Sequence, residues 1–351
     1  MADSSLREAL ILGLGNPLLD VSTTVSKEFL DKWGLEPNNA ILATDQHQGL
    51  VEDLTKNYEV KFIAGGSVQN TMRIIQWLFS KPKVCTFMGC IGNDFFGRCM
   101  EFKATEDGVR VVYMTDPKEK TGHCVVLITE NGQCRSMCAF LGAANNFKKD
   151  HLVKNWEYAE KAKYFYVSGF HIPVSLPSIL ELANHANSHQ DKRFCFNLSA
   201  QYISQVFGEQ LLSVVPFIDL LFGNETEAAA FAELNKWTDT KDLKEIAKRI
   251  ANMGKANNNK PRIVIITQGK DPVIVAKQNE TETKEYVVKP IEASEIVDTN
   301  GAGDAFVGGF LSQFVQDKSI EECVRVGIYA AQQIIRQDGF STPRFPPQFD
   351  T

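Results

Sequence analysis

The chain has no long apolar run. Its start, MADSSLREALILGLGNP, passes through only a few apolar residues before Gly and Pro interrupt it. That is too short for a signal-peptide core or a membrane span, so the reading places the protein in the cytosol. A block of like charge is missing too. Against 43 acidic residues stand 37 basic ones, a formal charge of −6 with no basic stripe to follow a nucleic-acid backbone or an anionic membrane, so neither is expected as a partner. The eight cysteines, at 85, 90, 99, 124, 134, 138, 195 and 323, contain no C-x-x-C pair. Reduced core thiols are expected rather than a disulfide framework. No repeat with a period of about 20–50 residues and no low-complexity tract occurs, which excludes solenoids and arrays. The P-loop pattern G-x-x-x-x-G-K-[ST] is absent, so a nucleotide, if bound, is held in another way. His185 and His189 have the i, i+4 spacing of a helical metal pair but lack the intervening Glu and a third ligand; exposed helix histidines are expected there.

What is present is an alternation of short apolar runs with amphipathic stretches. Residues 9–15, 84–90, 163–168, 193–198, 218–222 and 262–267 are β-branched or aromatic and bounded by turn formers, which predicts buried strands. Between them, 67–79, 94–107, 176–188, 240–253 and 303–315 carry helical periodicity. The rhythm predicts an α/β domain with a mainly parallel sheet and helices on both faces, its ligand crevice beyond the carboxyl ends of the strands. Two regions break the rhythm, 18–25 with 40–44 and 58–63, and 111–115 with 122–139. Both are strand-rich, and Asn131-Gly132 marks a hairpin in the second. Together they predict a small extra sheet, a lid over the crevice.

Four glycine-punctuated segments carry the chemistry. DTNGAGDAFVGGF at 298–310 places a small-residue turn before an apolar helix. The free N–H groups of Gly301, Ala302 and Gly303 at a helix start suit an anion, and Asp304 in the first turn suits a proton acceptor kept ionised by the helix dipole. AGGSVQN at 64–70 puts Gly65 and Gly66, where a substrate can touch backbone, before Ser67 as N-cap and Asn70 one turn into a helix. GLGNPLLD at 13–20 is no Rossmann fingerprint, because Leu18 stands where the third glycine belongs. It is a strand-end loop offering Asn16 and Asp20 to hydroxyl groups, or a solvated turn carboxylate. FGNETEA at 222–228 runs from a strand into a helix, where Glu227 can hold Mg²⁺ through water or Asn224 can simply cap. Thr267 and Gly269 form another strand-end turn, and Arg135 beside the hairpin either reaches the crevice as a cation or is solvated.

AGGSVQN with GCIGNDFFG at 89–97, and DTNGAGDAFVGGF, resemble the two signatures of the ribokinase-like carbohydrate and nucleoside kinases. GNPLLD at 15–20, NLSA at 197–200 and FGNETEA narrow the likeness to the nucleoside-phosphorylating branch, and it spans nearly the whole chain. The resemblance implies a three-layer α/β fold with a central mainly parallel sheet and a small strand-rich lid. The large domain would comprise 1–17, 65–110 and 142–351, the discontinuous lid 18–64 and 111–141. It implies ATP as phosphoryl donor, Mg²⁺ as cofactor, adenosine as acceptor, a place in purine salvage and a monomeric state.

It also implies roles. Asp304 would be the base for the 5′-hydroxyl, the amides of Gly301, Ala302 and Gly303 would receive the γ-phosphoryl charge, and Arg135 would neutralise part of it. Asp20, Gly65, Gly66 and Asn70 would hold the ribose, with Asn16 and Ser67 beside them. Phe170 would stack on the base, surrounded by Leu18, Leu42, Cys124, Met137 and Leu141. Asn224, Glu227, Thr267, Gly269 and Asn300 would border ATP, Asn300 also reaching the nucleoside, with Glu227 near the metal. The sequence departs from the family pattern at His123 and His171. Competing readings are a sugar kinase of the same fold and a catalytically silent nucleoside-binding protein.

Overall fold

The computed structural model describes residues 6–79, 81–129, 134–337, 339–343 and 346–348. Fourteen strands are described: β1 (Ile11–Leu14), β2 (Leu18–Thr24), β3 (Ala40–Leu42), β4 (Lys61–Gly65), β5 (Cys85–Gly92), β6 (Arg110–Asp116), β7 (His123–Thr129), β8 (Cys134–Phe140), β9 (Tyr164–Ser168), β10 (Arg193–Asn197), β11 (Leu220–Asn224), β12 (Ile263–Gln268), β13 (Asp271–Lys277) and β14 (Lys284–Tyr286). Nine of them build one sheet in the order β14-β13-β12-β11-β10-β9-β1-β5-β6. It is parallel from β12 to β6, and the β13–β14 edge is antiparallel. All six strands expected of the large domain lie in it.

Each central strand is apolar on both faces, as a sheet covered twice requires. Leu12, Leu14, Phe165, Val167, Phe194 and Phe196 pack on one side, towards the helix Ile172–Ser188. Ile11, Tyr166, Cys195 and Phe222 pack on the other, with Val68 and Met72 of the helix Ser67–Leu78 and Phe306 and Phe310 of the helix Ala302–Phe314. Small residues set the spacing there. A Cβ on Gly13 would lie 2.8 Å from Val68 Cγ1, and one on Gly309 would lie 2.4 Å from the Val326 carbonyl oxygen in the helix Ile320–Ile335. The five helices expected from periodicity are all present within a few residues. The helix Ile320–Ile335 and the β13–β14 pair complete the layers beyond the elements that the sequence pattern singles out.

The remaining five strands form a second, mixed sheet in the order β3-β8-β7-β2-β4. One expectation needs correction: residues 111–115 do not join it. They lie in β6, which pairs parallel with β5 at the edge of the large sheet, from Thr86↔Arg110 to Gly92↔Asp116. The helix Phe95–Glu106 and the left-handed turn at Gly108 return the chain beside the strand it left, a βαβ crossover with a parallel outcome. The second region therefore supplies the small sheet only through the antiparallel pair β7–β8; its Asn131-Gly132 turn lies outside the described residues. All eight cysteines are free, and only Cys99 is not buried. Of the two histidines expected to be exposed, His189 is, whereas His185 is half-buried. His185 packs edge-on to Trp156 and Phe165, and the His185 carbonyl accepts from His189.

At the end of the sheet away from the crevice, buried cations close helix C-termini. Lys192 Nζ donates to the carbonyls of Ala159, Glu160 and Ala162; Lys260 Nζ donates to those of Ala186, His189 and Lys192. Arg262, fully buried, donates to Ile218, Ile250, Met253, Val215 and Gly254. The last carbonyls of a helix have no partner within it and carry its negative pole, so a cation there satisfies both needs. Arg262→Met should lower stability by roughly 3 kcal/mol or more, because several buried carbonyls lose their donor together. Urea unfolding measures the change; a loss below about 1 kcal/mol would show that water replaces the guanidinium.

Candidate active site

Between the two sheets, beyond the carboxyl ends of the parallel strands, opens a cavity of about 840 Å³. It is lined by almost every residue singled out above: Asn16, Leu18, Asp20, Leu42, Gly66, Ser67, Asn70, Cys124, Arg135, Met137, Leu141, Phe170, Asn224, Glu227, Thr267, Gly269, and the stretch from Asn300 to Asp304.

Gly65 is the exception. It lies behind Asp20, where a Cβ would come within 2.5 Å of Asp20 Oδ2. Its missing side chain makes room for a carboxylate rather than for a ligand. Gly66 does line the cavity, with a φ of 97° and a Cβ position 2.3 Å from the Asn16 carbonyl oxygen. It is also the N-cap of the helix Ser67–Leu78, so Ser67 is the first helical residue and not the cap.

The Ser67 hydroxyl is turned instead to Asp304. Ser67 Oγ donates to Asp304 Oδ1 at 2.7 Å and Asn70 Nδ2 to Oδ2 at 3.1 Å, while Thr71 Oγ1 donates to the Asp304 carbonyl at 3.2 Å. Asp304 thus stands in the first turn of one helix, held by the first turn of another. Burial raises its pKa to about 6, and the bonds from Ser67 and Asn70 offset only part of that rise. The low pKa expected from the helix dipole is not found, because desolvation outweighs it. The preceding loop is shaped for the turn: Gly301 has a φ of 75°, and a Cβ there would lie 2.3 Å from the Phe340 ring. Gly303 has nothing within 4 Å of its Cβ position and is open to the cavity.

Two further carboxylates are buried around the same space. Asp20 is raised to about 7, first by burial and then by the negative charge of Asp304, with Asn300 holding it down by a hydrogen bond. Glu227 is also raised to about 7 by burial. It forms a capping box with Asn224: Asn224 Oδ1 accepts from the Glu227 amide at 2.9 Å, and Glu227 Oε2 and Oε1 accept from the Asn224 amide and Nδ2 at 3.0 and 2.8 Å. The capping alternative is therefore real, and it holds the carboxylate at the cavity wall. Among the described residues no group of three or more His, Cys, Asp or Glu side chains is arranged to hold a metal ion.

Arg135 is neither solvated nor free. From β8 its Nε donates to Asp298 Oδ1 at 2.6 Å in an ion pair that is almost wholly buried, and Nη1 donates to the Cys134 carbonyl. Asp298 also accepts from the amides of Asn300 at 2.7 Å and Gly339 at 3.1 Å, so one carboxylate ties the small sheet to the glycine loop.

At the apolar end, Phe170 stands 6.2 Å from Tyr202, ring centre to ring centre. Its backbone is fixed through Asn16, whose Nδ2 donates to the Phe170 carbonyl at 2.9 Å. His171, kept neutral by burial that lowers its pKa to about 3, lies with Nδ1 2.6 Å from Asn16 Oδ1 and closes the arrangement. His123 stacks on Phe140, at 4.7 Å. Tyr202 escaped the sequence reading; its signal is an aromatic two residues after NLSA, where a strand end gives way to the helix Gln201–Val206. Val288, Ile296 and Ile328, which line the other end, carry no motif.

A buried carboxylate beside a glycine-lined helix start, faced by a cavity with one apolar and one glycine-lined end, is suited to moving a phosphoryl group onto a hydroxyl. The comparisons agree. The model of the pfkB family carbohydrate kinases matches residues 27–346, and the chain belongs to that family. Within it, the chain is 44% identical to adenosine kinase 2 of Arabidopsis thaliana over 348 residues, 99% of both chains. It is 40% identical to adenosine kinase of Schizosaccharomyces pombe, covering 97% of this chain and 98% of that one. The crystal structure of Anopheles gambiae adenosine kinase in complex with P1,P4-di(adenosine-5) tetraphosphate superposes with a TM-score of 0.95 at 44% identity, covering 98% of this chain and 100% of that one. Adenosine kinase of Schistosoma mansoni in complex with 2-fluoroadenosine gives 0.91 at 32% identity, over 96% and 98% of the two chains.

The buried carboxylates set a pH dependence of stability. An unfolded aspartate loses its proton near pH 4, whereas Asp304 and Asp20 keep theirs to about 6 and 7. Between those values the folded chain binds more protons than the unfolded one, so stability falls as pH rises. Asp20→Asn should therefore stabilise the ligand-free protein at about pH 8 by roughly 2–4 kcal/mol and have little effect at about pH 4. Denaturant unfolding at both values checks the sign; equal effects would remove the ionised carboxylate as the cause.

Proposed function

We propose that this protein phosphorylates adenosine, transferring the γ-phosphoryl group of ATP to the 5′-hydroxyl to give AMP and ADP. The observation that carries the reading is the Asp304 carboxylate, held at both oxygens by Ser67 and Asn70 beside the glycine loop that starts its helix.

Direct in-line transfer needs three things from the chain: an acceptor hydroxyl held in place, a proton acceptor beside it, and donors aimed at the moving charge. Asp20 and Asn70 hold the ribose hydroxyls, and Phe170 with Tyr202 provides the flat apolar surface that a purine needs and a free sugar does not. Asp304, with a pKa of about 6, is ionised at neutral pH yet basic enough to take the 5′-hydroxyl proton as the bond to phosphorus forms. The amides of Gly301 and Gly303 receive the charge on the γ-phosphoryl oxygens at the helix start, whereas the Ala302 amide, expected to join them, donates to the Thr299 carbonyl at 3.2 Å. Arg135 has five N–H donors, of which Asp298 and two backbone carbonyls engage three, leaving two for the same oxygens. Asn224, Thr267 and Gly269 border the remaining phosphates.

Mg²⁺, when bound with ATP, offsets phosphate charge. It needs no closed protein cage, since it is commonly held by one or two carboxylates, waters and the substrate's own phosphates. Glu227 fits that need: burial alone drives its carboxylate towards protonation, and a neighbouring cation reverses this.

The small sheet acts as a lid, formed by 18–65 and 123–140, with the strand at 110–116 left in the large domain. Support comes from the Arg135–Asp298 ion pair, which brings a lid side chain to the anion loop. Closure over the cavity excludes water as a competing phosphoryl acceptor.

Asp304→Asn should keep the fold and bind adenosine while kcat falls by about 10²–10⁴-fold; calorimetric binding and ADP release are the measurements, and near-wild-type turnover would sink the assignment. ADP release across adenosine, inosine, guanosine, ribose and fructose tests the substrate. Adenosine should be strongly preferred, whereas a preference for a free sugar would make the protein a sugar kinase and binding without turnover a silent receptor.

A further inference from the structure

Arg73 follows Asn70 by one helical turn and is completely buried, yet it does not line the cavity. Its Nε donates to Asp107 Oδ2 at 2.6 Å, and Asp107 Oδ1 accepts from Thr342 Oγ1 at 2.9 Å. Nη1 donates to the Ala64 carbonyl at 2.8 Å and to Asn70 Oδ1 at 3.4 Å. The ring of Phe340, which also presses on Gly301, lies 5.1 Å from Cζ. A guanidinium so deep is costly to bury. Its ion pair with Asp107 explains how it is tolerated, not what it does.

The Asn70 amide gives the reason. Its two ends are nearly the same shape, but only the NH₂ end can donate to the Asp304 carboxylate. Rotated by half a turn, the amide would set its oxygen against a carboxylate, exchanging attraction for repulsion and leaving Asp304 Oδ2 without its donor. Sterics do not choose between the two. The charges on either side do, and the guanidinium adds to the choice made by the carboxylate, because it only donates and stays charged and so favours the oxygen at the end of Asn70 that faces it. Donation runs outward from Arg73, to Asp107 on one side and, through the Asn70 amide, to Asp304 on the other.

We propose that Arg73 is a positioning residue for phosphoryl transfer: it locks the Asn70 amide with its NH₂ group towards Asp304 and so keeps the base aligned with the acceptor hydroxyl. The inference rests on the reading of Asp304 as the base. Arg73 touches no substrate and acts only through Asn70.

A double-mutant cycle of Arg73→Met and Asn70→Ala, read as steady-state kcat and adenosine KM with ATP saturating, tests the coupling. Arg73→Met should lower kcat by about tenfold and change adenosine KM by less than about threefold. In the Asn70→Ala background the same substitution should have almost no further effect. Arg73→Lys, which restores a donor-only cation, should recover most of the lost kcat. A variant that lowers the unfolding temperature but leaves kcat unchanged overturns the proposal, and so does an equal loss of kcat with and without Asn70. If wild-type protein gives no ADP with adenosine, the functional reading fails first. Neutron diffraction from deuterium-exchanged wild-type crystals then decides the orientation independently, as it does if Arg73→Met does not fold. Deuterons on the Asn70 atom facing Asp304 support the lock, and a bare oxygen there overturns it.

Discussion

The site depends on one constraint: a carboxylate buried between two helix starts must be held against the cost of desolvation and the repulsion of neighbouring charge. Asp304 meets it through two donors, Ser67 and Asn70, that stand more than 230 positions earlier in the chain. Burial raises its proton affinity and the donors restrain the rise, leaving it at about 6. Much of the surrounding structure serves that balance. The helices Ser67–Leu78 and Ala302–Phe314 must pack closely, and Gly308 permits it: a Cβ there would lie 2.7 Å from Ile74 Cγ2. Asp20 lies near enough for its charge to oppose that of Asp304, and Gly65 leaves the space it occupies.

The same economy governs the anion loop. Asp298 is not at the cavity, but it accepts from Arg135, from the Asn300 amide and from the Gly339 amide. One buried carboxylate thereby sets the loop's course, anchors the C-terminal segment and receives the small sheet's arginine. Phe340 closes the other side of the loop against Gly301 and stacks on Arg73. At the far end of the sheet, buried cations do the equivalent work for helix carbonyls, so charges inside this fold are matched to backbone poles as often as to side chains.

Much of this was legible in sequence because it follows local rules. Buried parallel strands read as continuous apolar runs, and helices between them keep their period, so six of the nine strands of the large sheet are legible, though not their order nor β6, β13 and β14. The glycine segments pointed to the cavity for the same reason: a helix start with free amides is a local feature. The misplaced strand at 110–116 shows the limit. Its residues have ordinary strand character, and only pairing with β5 says to which sheet it belongs. Gly65, assigned to the ligand, proved to serve Asp20, a neighbour fixed by the antiparallel register of β2 and β4. Tyr202 was missed because it lies in the helix after NLSA rather than in the motif, and Arg73 because spacing does not tell a buried arginine from a solvated one.

Residue type and short-range spacing are enough for the class of fold, the strand-end position of the glycine-punctuated segments and the identity of the groups that can donate, accept and carry charge. Tertiary structure alone decided which groups meet. Arg135 pairs with Asp298, Ser67 turns from capping to hold Asp304, and Asp304 acquires a raised rather than a lowered pKa. Each outcome depends on distance and desolvation between elements remote in the chain, and neither quantity is written in local sequence.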